Sequence, residues 1–188
     1  IRDAAWLLFK AVGRTEVVGH ERIPPKGGVV VACNHVSYLD PPLVGSNIRR
    51  ECAFMARHDL WERRWLGALI DRLNAFPVHR DTADRTAIHR AIDFLNRGVI
   101  LVLFPEGTRS PDGLLQEPQP GVALIVQRAH VPVVPTVVVG PEAMLPVGPA
   151  MFEALFPSSG GALYGRASHG WQASFRRPGS RTKLPGLW

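Results

Sequence analysis

His35 and Asp40 stand five residues apart in the stretch Asn34-His35-Val36-Ser37-Tyr38-Leu39-Asp40. A carboxylate that folds back on an imidazole holds one ring nitrogen and leaves the other to take a proton. Asn, Asp and Pro at a strand end are also ordinary turn chemistry, so the pair alone is a weak signal. Two further polar clusters follow apolar runs: His79-Arg80 after Ala75-Phe76-Pro77-Val78, and Glu106-Gly107-Thr108-Arg109-Ser110 after Val102-Leu103-Phe104-Pro105. An acyl transfer to an alcohol needs a base on the hydroxyl, donors for the developing oxyanion, and groups that hold the acceptor still. His35 would be the base, and Asp40 would orient it and stabilise the imidazolium. Arg80 and Arg109 offer forked donors that suit a phosphate monoester. Backbone amides of Glu106-Gly107-Thr108 would bind either that phosphate or the oxyanion. Arg80 also reads as an ion-pair partner for Asp81 or Asp84.

Each cluster has to be delivered by an element. Gly28 to Cys33 is a valine-rich strand, which Pro41-Pro42 keep from continuing, so the segment holding His35 and Asp40 is expected to bend at the prolines. Strands expected over residues 52–56, 75–78, 98–104 and 133–139 alternate with helices over 61–70, 84–96 and 122–129. That alternation predicts an α/β fold with a largely parallel central sheet and flanking helices. Active sites in such sheets lie at the strand carboxyl ends, where His35, Arg80 and Glu106 all fall. Residues 1–13 read as an N-terminal short apolar helix, below the ~20 residues that span a bilayer.

The chain has 188 residues, 46% of them hydrophobic, enough for one domain with a sizeable core. Residues 1–140 are expected to form that domain, and 141–188 a basic, loop-rich C-terminal segment. Residues 1 to 153 carry 17 basic and 16 acidic groups, so most of the net charge of +6 comes from the part of that segment after Glu153. No nucleic-acid motif accompanies it. Cys33 and Cys52 lack metal-type spacing and read as buried thiols of a reducing compartment. The chain opens on Ile1 rather than methionine, which suggests a fragment or a processed product.

Four ordered blocks carry a family resemblance: Asn34 to Asp40, Phe76-Pro77-Val78-His79-Arg80, Phe104 to Arg109, and Val131-Pro132-Val133-Val134-Pro135. Together they resemble the glycerolipid acyltransferase family, whose bacterial members include the 1-acylglycerol-3-phosphate acyltransferases. The resemblance implies that His35 and Asp40 are the catalytic pair. It also implies that Arg80, Glu106, Gly107 and Arg109 bind a phosphorylated acceptor, and that the proline block shapes the acyl-donor side. The implied donor is acyl-CoA or acyl carrier protein, the acceptor a lysophospholipid, and no metal or other cofactor takes part. The implied place is the cytoplasmic face of the membrane, peripheral or monotopic. Trp61 and Trp65, on one helical face beside Arg63 and Arg64, would meet the membrane surface. Two departures stand out: Asn74 or Ala75 where the second block commonly opens with glycine, and Gln119 where a basic residue is frequent. Of other classes, a serine hydrolase using Ser37 or Ser110 lacks a G-x-S-x-G elbow. A non-catalytic membrane-binding module would have no use for His35 paired with Asp40.

Overall fold

The structure, a computed structural model, describes residues 6–7, 14–79, 84–110, 114–139 and 173–176. In chain order the strands are β1 (Arg14–Thr15), β2 (Val29–Cys33), β3 (Cys52–Arg57), β4 (Ala75–Val78), β5 (Ile100–Leu103), β6 (Val133–Thr136), β7 (Val138–Val139) and β8 (Ala173–Arg176). The helices are α1 (Asp40–Asn47), α2 (Arg64–Asp71), α3 (Arg85–Asn96) and α4 (Pro120–Ala129).

Five strands form one sheet in the order β4-β3-β5-β2-β6, with every pairing parallel. The central strands β2 and β5 are apolar throughout because both of their faces are covered. Val29, Val31, Ile100 and Val102 point to one side and pack with Leu43 and Val44 of α1. Val30, Leu101 and Leu103 point to the other and pack with Ala91 and Leu95 of α3 and Ile125 of α4. The period-2 alternation of a strand thus serves two helical layers. Steps from β2 to β3 to β4 run one way along the sheet, and those from β4 to β5 to β6 run the other. Right-handed crossovers then place α1 opposite α3 and α4. Asp84 caps α3 by accepting from Ala87 N at 2.9 Å, and Gly98 (φ 80°) follows its end as the sequence predicts. At the amino end of the sheet the Arg50 guanidinium donates to the carbonyls of Pro24, Gly27 and Gly98, tying together the turns that feed β2 and β5.

The parallel α/β expectation holds, with corrections at its punctuation. Pro41 and Pro42 do not end the motif in a turn; they occupy the first turn of α1, where a missing N–H costs nothing and a fixed φ helps. The expected strand over 133–139 breaks at Val137, and β7 leaves the main sheet to pair with β8, which is antiparallel to β1. β8 falls within the C-terminal segment expected to be loop-rich. The helix expected from Trp61 begins at Arg64. Trp61 instead sits in a 3-10 turn outside the helix that carries Trp65 and donates its Nε1–H to Asp71 at 2.8 Å. Cys33 is buried, with burial pushing its thiol far up, while Cys52 is only half-buried. Of the N-terminal helix, Trp6 and Leu7 are helical and exposed, and its other positions lie outside the described residues. Among the described residues no helix is long and apolar enough to cross a membrane.

Candidate active site

β2 and β5 are neighbours, yet the chain leaves β2 toward α1 on one face and leaves β5 toward α4 on the other. Adjacent strands whose exits part in this way open a crevice at their carboxyl ends. His35 and Glu106 both come from the segments that leave these two ends.

The first half of the crevice is built by the start of α1. Asp40, fully buried, is the first helical residue. Its Oδ2 lies 2.7 Å from His35 Nδ1 and accepts from Val36 N at 2.7 Å and Ser37 N at 2.8 Å. Two backbone N–H groups aimed at one oxygen make it an acceptor, so His35 Nδ1–H donates and Nε2 carries the lone pair. The turn between them is closed by Asp40 N on Ser37 O at 3.2 Å, and Ser37 Oγ accepts from Leu39 N at 3.2 Å. Ser37 and Ser110 are both buried, which suits neither as a nucleophile.

The second half comes from the turn after β5, and it grips His35 from three sides. His35 N donates to Glu106 Oε1 at 3.3 Å, Ser110 N donates to His35 O at 2.7 Å, and the Phe104 ring stacks on the imidazole with centroids 4.3 Å apart. Glu106 is 4% exposed and its Oε2 has no hydrogen-bond partner. Burial pushes its carboxyl above the usual glutamate range and the Asp40 charge adds to this, against the pull of N–H groups of His35 and Gln116. Gly107 takes φ 71°, which favours glycine, and donates its N–H to Phe104 O at 2.9 Å. That amide is therefore engaged in the turn itself. Thr108 is exposed, and its hydroxyl donates to Gln116 Oε1 at 3.2 Å.

Arg109, half-buried, donates from Nη2 to the Tyr38 hydroxyl at 2.5 Å, and its guanidinium carbon lies 3.5 Å from the Tyr38 ring centroid. Stacking of this kind holds the planar fork in one orientation. Arg80 lies outside the described residues. Asp84, weighed above as its partner, has Oδ1 on Ala87 N–H and Oδ2 on His79 N–H at 3.0 Å. These backbone donors hold its carboxyl below the usual range.

Three arrangements are absent from the sequence reading. The Asn34 amide donates to Val138 O at 2.9 Å and accepts from Val138 N at 2.7 Å, doing for β2 and β7 what one more rung of a ladder would do. Tyr38 is the platform for Arg109. Asn74 adopts φ 55°, a left-handed conformation that asparagine tolerates better than most residues. An apolar cavity, walled by Val31, Leu43, Val44, Val134, Thr136 and Val138, lies alongside α1.

A family model described as Acyltransferase matches residues 14–139. The 1-acyl-sn-glycerol-3-phosphate acyltransferase of Bacillus subtilis (strain 168) is 30% identical over 142 residues, which is 75% of this chain and 70% of that protein. The crystal structure of the 1-acyl-sn-glycerophosphate (LPA) acyltransferase PlsC from Thermotoga maritima superposes with a TM-score of 0.59 at 31% identity, covering 71% of this chain and 54% of that one. A shorter stretch of 48 residues is 56% identical to the hydroxyneurosporene desaturase of Rubrivivax gelatinosus, 26% of this chain but 9% of that protein, too small a share to bear on function. On the family match and the Bacillus relative together, the chain belongs to the acyltransferase family.

Proposed function

We propose that the chain transfers a fatty acyl group from a thioester, acyl-CoA or acyl carrier protein, to the free hydroxyl of 1-acylglycerol-3-phosphate, giving phosphatidic acid. The observation that carries this reading is His35, its Nδ1 held 2.7 Å from buried Asp40 just past the carboxyl end of β2 and beside the turn that follows β5. In the reaction Nε2 takes the hydroxyl proton as the oxygen attacks the thioester carbon. The C–S bond then breaks, and the thiolate recovers the proton from the imidazolium. The donor is a substrate, so the chemistry needs no cofactor or metal. The apolar cavity beside α1 is assigned to the start of the acyl chain on the chemistry of its walls, among them Val134 of the proline block. Arg109, together with Arg80, would hold the acceptor phosphate. Gln119 in place of a basic residue favours a second reading, an acceptor of lower charge such as another lysolipid.

Arg109→Lys separates these. It keeps the charge but loses the fork and the flat surface stacked on Tyr38, so KM for lysophosphatidic acid should rise by about tenfold while thiol release with a neutral lysolipid changes little. An unchanged preference for the phosphorylated acceptor would remove Arg109 from headgroup recognition and leave only the family-level activity.

The same reading places the chain on the cytoplasmic face of a membrane, peripheral or monotopic. Trp65 at 61% and Leu69 at 41% exposure lie one turn apart on α2, beside Arg64. Flotation with anionic liposomes should carry the chain upward, less so at high salt and less so for Trp65→Ala. Equal flotation with neutral and anionic vesicles would leave these side chains without a headgroup role.

A further inference from the structure

We infer that Glu106 is a positioning residue for His35 and does not touch the acceptor; the inference rests on the acyl-transfer reading and reassigns one of its parts. Family resemblance puts this glutamate among the acceptor's ligands, but the geometry points elsewhere. At 4% exposure its carboxyl meets almost no solvent, and its Oε1 accepts from the His35 N–H.

What Glu106 does hold is the point where β2 ends. The ladder hydrogen bonds of β2 run no further than Cys33, which pairs with Thr136. Beyond it the backbone of His35 hangs from the β5 turn by two bonds, its N–H on Glu106 and its C=O on Ser110 N–H. Asp40 and Phe104 fix the ring, but a ring is only as well placed as the Cα that carries it. Nε2 has to meet a hydroxyl at hydrogen-bond distance, and a misplacement of ~1 Å costs on the order of a hundredfold in rate.

The unpartnered Oε2 gives the chemical form of the prop. An enclosed oxygen that accepts no hydrogen bond is a poor seat for negative charge and a tolerable one for O–H. The carboxyl pushed up by burial agrees with this. The neutral acid has one acceptor oxygen for His35 and one donor, and the glutamine side chain has the same pattern in nearly the same volume.

Glu106→Gln and Glu106→Ala are therefore made in the full chain and compared in two measurements. In thiol release with varied lysophosphatidic acid, the alanine variant should lose about ten- to a hundredfold in kcat with KM for the acceptor within about threefold, and glutamine should recover most of that loss. In hydrogen exchange read by NMR, the His35 amide should be protected in the wild type and in Glu106→Gln and should lose at least about tenfold of that protection in Glu106→Ala. A raised KM in both variants with kcat intact would make Glu106 an acceptor ligand and overturn the proposal. Equal His35 protection in all three would overturn it too, and does so whether or not the wild type proves to be an acyltransferase. If the alanine variant does not fold, a glutamine variant that folds but stays more than about tenfold slow sinks the neutral prop on its own.

Discussion

His35→Ala is expected to lower kcat by about a hundredfold to ten-thousandfold at saturating acceptor, the range that a positioned general base contributes. The fold should survive. The imidazole is 15% exposed, it stacks on Phe104, and its backbone bonds to Glu106 and Ser110 need no side chain. What disappears is the ring nitrogen proposed to take the hydroxyl proton. Thiol release measured beside a thermal unfolding curve checks both halves of the statement. Turnover near that of the wild type would end the base-catalysed mechanism.

Asp40→Asn should be the second most damaging change, and the structure says how it fails. Val36 N–H and Ser37 N–H both require an acceptor, so the amide must turn its oxygen to them, where it also accepts from His35 Nδ1–H. The ring therefore keeps its tautomer, unlike a serine-protease triad in which the same substitution gives the wrong tautomer and costs about ten-thousandfold. The loss here is the negative charge that steadies the imidazolium. We expect kcat to fall by roughly a hundredfold with acceptor KM little changed. The amide NH2 is also pushed into the enclosed place where Oδ1 has no partner, so stability should fall by about 1–3 kcal/mol, read by urea unfolding. Activity within about twofold of wild type would remove Asp40 from the pair.

The sheet was legible because β2 and β5 are covered on both faces and their residues have little choice but to be apolar. Punctuation was harder to read. Proline ends a strand and also begins a helix, and only the surroundings of Asp40 decide between them, so Pro41-Pro42 read as a stop. Val137 looks like any other valine in an unbroken run, and nothing local announces that β7 pairs elsewhere. His35 and Asp40 could be paired from spacing because a five-residue separation leaves few conformations to consider. The partners Glu106, Phe104, Tyr38 and Asn34 act across the sheet, and one sequence without relatives carries no signal for such contacts. Asn74 is an intermediate case: asparagine is a compositional trace of a left-handed position, but the trace has meaning only once φ is known.

The Asn34 clamp on Val138 bears on when the site comes into being. His35 and Asp40 are neighbours in sequence, yet the bonds that set them reach 71 residues ahead to Glu106 and 104 ahead to Val138. Contacts of such separation carry the largest loop-closure entropy and tend to form late in folding. A chain emerging from the ribosome would thus show its histidine and aspartate early but hold them in working register only after β7 has docked. Partly folded chains, with their apolar strands still open, would be without the means to cut thioesters indiscriminately.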